Sequence, residues 1–99
     1  MKRDASAVVA LLALMALPAC ARHATPAECE ALLDRYVELL LREQNPEVAS
    51  GELVAKKELA REKAAHDAAF AACPKEVGAR ELHCAMLAGN VDDFEKCLE

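Results

Sequence analysis

The side chains with the most chemistry to offer are five cysteines, Cys20, Cys29, Cys73, Cys84 and Cys97, and three histidines, His23, His66 and His83. Thiolates and imidazoles hold zinc or copper, and a thiolate is also a nucleophile and a redox centre. The spacing fits none of these uses. The chain has no C-x-x-C pair, no histidine pair at ligand spacing and no C-x-x-C-H sequence, which metal, thiol-redox and haem chemistry respectively ask for. His66 with Cys73 and the adjacent His83-Cys84 come nearest to a metal pair, but neighbouring residues on a helix point about 100° apart. No Ser/His/Asp order, glycine-rich phosphate loop or paired-carboxylate arrangement stands out either. Asp92-Asp93 is explained by helix capping, and Glu28/Glu30 and Lys56-Lys57 by solvated helix surface. The expectation is a protein that is not an enzyme and holds no metal or cofactor.

The remaining use of cysteine is the disulfide. Cys29, Cys73, Cys84 and Cys97 form an even set in a short chain, and in an exported protein such a set reads as two bridges. Four cysteines allow three connectivities, and residue types alone do not choose among them.

Export is read from the amino terminus. Lys2 and Arg3 give a positive start, residues 5–17 are apolar except Ser6, and Pro18-Ala19-Cys20-Ala21 closes the run with small residues. These are the three regions of a secretory signal peptide, and the apolar run is shorter than the roughly 20 residues that span a bilayer. Leu17-Pro18-Ala19-Cys20 resembles the lipobox of bacterial lipoproteins, with Pro18 at a position usually held by a small non-proline residue. The resemblance implies cleavage before Cys20 and acylation of its sulfur, with residues 1–19 as signal peptide and residues 20–24 as a lipidated tether. Ala21, where an inner-membrane retention signal would usually be Asp, turns that implication towards the outer membrane, facing the periplasm or the exterior. The competing reading is ordinary cleavage after Ala21, which discards Cys20 and releases a secreted protein. Both routes keep the other four cysteines.

From Cys20 onward the chain has 80 residues, one domain near the size at which a core holds without staples. Alanine dominates, and Tyr36, Phe70 and Phe94 are its only large rings, so the core is thin. The whole chain carries −5; losing Lys2, Arg3 and Asp4 removes a net +1 and leaves −6. An acidic chain without a Lys/Arg cluster argues against nucleic acid and against electrostatic binding to anionic lipid.

Helical spacing organises residues 25–99 as an all-α, four-helix domain, two longer antiparallel helices plus two shorter ones, stapled by two disulfides. Thr25-Pro26-Ala27-Glu28 starts the first helix with a capping box, and Asn45-Pro46 stops it after Gln44. Its apolar stripe carries Cys29, Leu32, Leu33, Tyr36, Val37, Leu39 and Leu40, with Asp34, Glu38 and Arg42 on the other side. The second helix is expected from Pro46 or Ser50 to about Ala72, an Ala-rich, charge-laced segment that forms readily and packs thinly. The third covers residues 75–88 and ends at Gly89 in a left-handed cap, with apolar residues on two sides. Asn90 caps the fourth, whose inner side is Val91, Phe94, Cys97 and Leu98. A hairpin of the first two helices brings Cys29 to Cys73, and the turn at Gly89-Asn90 brings Cys84 to Cys97. Those two bridges are the geometric expectation.

The segments Cys84-Ala85-Met86-Leu87-Ala88 and Phe94-Glu95-Lys96-Cys97-Leu98 resemble the closing pattern of small exported Cys-containing proteins of unknown function from myxobacteria and relatives, and Cys29-Glu30-Ala31-Leu32-Leu33 before Tyr36-Val37 resembles their first helix. The resemblance implies a bridge between Cys84 and Cys97 and an envelope location, and brings no activity.

These readings converge on a small envelope lipoprotein, a non-catalytic binding or structural subunit held on a membrane by its lipid, with an envelope protein as its possible partner. The small-residue stripe Ala60, Ala64, Ala68 and Ala71 is the surface nominated for helix–helix contact. The alternative is a freely secreted disulfide-stabilised effector or inhibitor. A ligand carrier with a cavity between its helices ranks last, since the core is small and short of rings, and no small-molecule substrate is evident.

Overall fold

A computed structural model describes residues 22–99; the expected signal peptide, the lipobox-like segment and Cys20 lie outside the described residues. Among those described, the fold is all-α, in six helices: α1 (Pro26–Gln44), α2 (Ser50–Ala64), α3 (Ala68–Ala71), α4 (Cys73–Glu76), α5 (Ala79–Leu87) and α6 (Val91–Cys97).

The first helix follows its sequence signals closely. Thr25 Oγ1 accepts from the Glu28 amide at 3.1 Å and Glu28 Oε1 accepts from the Thr25 amide at 3.1 Å, satisfying two amides that a helix start leaves unpaired. Asn45 turns extended beyond Gln44, and its Oδ1 accepts from the Glu47 amide at 3.1 Å, the local bond that makes Asn a turn former. The chain then doubles back. Arg61 on α2 pairs with Asp34 on α1, and Lys57 Nζ lies 3.7 Å from Glu38 Oε2, an antiparallel register. The expected solvated side of α1 is thus partly covered, with Asp34 and Glu38 half-buried beneath α2. Leu53 and Ala64 are the buried residues of α2.

The expected second helix is broken. It stops at Ala64, and Asp67 restarts the chain by accepting from the Ala69 amide at 2.8 Å through Oδ1. An aspartate at a helix start outcompetes continuation through a polyalanine stretch because it satisfies a free amide there. Ala68 and Ala71 therefore do not share a helix with Ala60 and Ala64, and the small-residue stripe does not exist as one surface. Pro74 sits in the first turn of α4 rather than past the end of a helix, as its missing amide permits.

The expected third helix is broken too. Val77 is extended, and residues 22–24 pair antiparallel with this stretch: the Ala24 amide donates to Val77 O at 2.9 Å and the Ala79 amide to Arg22 O at 3.1 Å. α5 then starts at Gly78, whose amide donates to Glu81 Oε2 at 2.6 Å. It ends through an extended Ala88, and no described glycine adopts positive φ, so the left-handed cap at Gly89 is absent. Its apolar residues do not bury on two sides: Leu82, Ala85 and Ala88 are inside, while Met86 and Leu87 face out. Asn90 caps α6 as expected, its Oδ1 accepting from the Asp93 amide at 2.8 Å.

α5 and α6 pack on each other and on the face of α1 turned away from α2. The core is Ala24, Cys29, Leu32, Leu39, Leu82, Ala85, Ala88 and Phe94, with Tyr36, Phe70 and Val77 against it. Two polar ties fix the far elements to α1: Arg35 Nη2 donates to Ala88 O at 2.9 Å, and Glu43 Oε1 accepts from the Val91 amide at 3.0 Å.

Candidate functional site

The four cysteines of the domain are paired as geometry required. Cys29 joins Cys73 with Cα atoms 6.3 Å apart, and Cys84 joins Cys97 at 5.6 Å. The first fastens α1 to α4 and the second fastens α5 to α6. Two bridges of this kind place the folded domain in an oxidising, extracytoplasmic setting. No helix among the described residues is long and apolar enough to cross a membrane, and no three of their His, Cys, Asp or Glu side chains are grouped to hold a metal ion. His23, His66 and His83 are all exposed and far apart in role: one in the pairing with Gly78, one in the turn after α2, one on α5.

The most developed concavity is an open cleft of about 360 Å³ beside the Cys29–Cys73 bridge. It is lined by Leu32, Leu33 and Tyr36 of α1, Phe70 of α3, and Phe94 and Leu98 at the carboxyl end. All three aromatic rings of the chain converge here. Tyr36 and Phe94 pack with ring centroids 5.2 Å apart and planes tilted by 35°, within the distance at which aromatic pairs attract. Glu76 and Glu95 stand among the lining residues, and the described ones include no Lys, Arg or His. The Tyr36 hydroxyl donates to Glu95 Oε1 at 2.9 Å. That bond, with burial and the carboxylate's charge, raises the hydroxyl's pKa above its ordinary value.

The sequence does not announce the cleft, because a continuous second helix over residues 50–72 gives Phe70 a different setting from that of the separate α3. A signal was available: Phe70 lies three residues before Cys73, and Leu32 and Leu33 lie three and four after Cys29. A bridge between those cysteines brings Phe70 towards that leucine pair. A second groove, about 260 Å³, runs between α1 and α2 along Leu40, Leu41 and Leu59 with Lys56 and Lys63 beside it.

The amino-terminal segment forms a second feature. Besides the backbone bonds of Arg22 to Ala79 and of Ala24 to Val77, the Arg22 guanidinium reaches Glu28 at 2.6 Å, and Ala24 is 4 % exposed. Glu28, held by Arg22 first and by the Thr25 amide next, has its pKa lowered from 4.5. Residues 22–24, read from sequence as tether, are bonded into the domain.

No family model matches the chain, and no curated protein or solved structure matches it either.

Proposed function

We propose that this protein is a small envelope lipoprotein, anchored through Cys20 and acting as a non-catalytic binding or structural subunit at the membrane surface. The observation that carries the reading is the clamp at residues 22–24. With Arg22 already bonded to Ala79, only Ala21 separates a lipid on Cys20 from the folded body, a span of at most about 7 Å. Such a subunit is held in a defined attitude against the bilayer rather than on a loose leash. The disulfides support the same reading, since an exported domain with few large side chains needs them for a stable fold.

The experiment is an intact mass of the protein from its own producer, before and after reduction with alkylation. The expected result is a diacylated chain beginning at Cys20, with four thiols appearing only on reduction. An unlipidated chain beginning at Arg22 would replace this reading with that of a secreted effector or inhibitor.

A further inference from the structure

We infer that the cleft between α1, α3 and α6 is a binding site for an amphiphilic organic cation, its apolar part on Leu33, Phe70 and Leu98 and its positive group at Glu76 and Glu95. The first described residue lining the cleft is Cys29, so the inference makes no use of the lipid anchor.

Three observations carry it. The first is composition: a chain poor in rings places every one of them around a single concavity, and rings supply the most apolar contact per side chain. The second is that the cleft stays open to solvent at about 360 Å³, within the range of small-molecule sites. Phe70 and Leu98 at its edge are not sealed by any described segment; Leu98 is 36 % exposed. The third is charge. Among the described residues that line the cleft, the only ionisable ones besides Tyr36 are two carboxylates, Glu76 and Glu95. An anionic amphiphile entering there meets like charge at the rim, and a cation meets opposite charge beside the Tyr36 ring, behind which Phe94 is packed.

The chain has one tyrosine and no tryptophan, so its fluorescence reports on Tyr36 and therefore on the cleft. The oxidised protein is titrated with decylammonium, decanol and decanoate, each below its micelle or solubility limit. The expected result is saturable quenching or enhancement, with decylammonium binding about fivefold more tightly than decanoate and decanol between them. In the Glu76→Gln/Glu95→Gln variant, with exposed side chains changed and the fold checked by circular dichroism, the cation and the anion should bind alike. Equal affinity for all three probes in the unaltered protein, preference for decanoate, or absence of saturation would each overturn the proposal. So would a cation preference that survives in the double variant.

Discussion

Each cysteine pair closes a loop that the unfolded chain would otherwise sample freely. Cys29 and Cys73 are 44 residues apart and Cys84 and Cys97 are 13 apart, so by loop-closure entropy the bridges contribute about 4 and about 3 kcal/mol. Small domains are stable by about 5–15 kcal/mol in total. The paired substitutions Cys29→Ser/Cys73→Ser and Cys84→Ser/Cys97→Ser should therefore each lower the urea midpoint clearly, the first by somewhat more, and a midpoint unchanged in the first would refute the stapling argument. Arg35 is a smaller tie. Its guanidinium donates to Ala88 O, so Arg35→Ala, which removes that bond, should cost about 1 kcal/mol in the same assay. Glu28 supplies a pH dependence. Its folded pKa lies below 4.5, so its carboxylate favours the clamped state above the ordinary glutamate range, and that contribution fades as pH falls through the lowered value. Amide exchange protection at Ala24 should drop on acidification, and Glu28→Gln should flatten the dependence.

Among the elements, α1 and α6 were legible because their ends are marked by side chains bonding to their own backbone, Thr25 with Glu28 and Asn90 with Asp93. The two breaks were not. The one at Asp67 hides in an Ala-rich run whose helix propensity argues for continuity, although the capping residue stands in plain view. Asp67→Ala should lower stability by about 1 kcal/mol and raise helicity measured by circular dichroism if α2 and α3 then join. The break at Val77 and Gly78 is set from outside, by residues 22–24 arriving from the other end of the domain, and no local pattern encodes that. A Cβ at Gly78 would collide with the Glu81 carboxylate. Gly78→Ala should displace Glu81 from its capping bond, at a cost of about 1 kcal/mol read from thermal unfolding.

At the scale of the whole molecule, the helix hairpin and both bridges were legible, because stop signals and cysteine positions specify which ends meet. The cleft required knowing where Phe70 goes once the second helix breaks. Stability is also unevenly spread. The core lies between α1, α5 and α6, whereas α2 buries only Leu53 and Ala64 and otherwise meets α1 through part-exposed ion pairs, which are weak, and the open groove lined by Leu40, Leu41 and Leu59. Hydrogen exchange should therefore release α2 amides at lower opening energy than those of α1; equal protection in both would contradict this picture.

The two bridges join cysteines that are consecutive within the domain, first to second and third to fourth. A chain threaded across a membrane from its amino end presents Cys29 and Cys73 to an oxidant before Cys84 emerges. Pairing in order of arrival then yields the native connectivity, with no exchange step to undo a wrong partner. Cys20 alone would disturb that sequence, arriving first with a thiol of its own. Under the function proposed above acylation of its sulfur would withdraw it, and under the secreted alternative its removal would; a chain that kept the free thiol would be open to exchange.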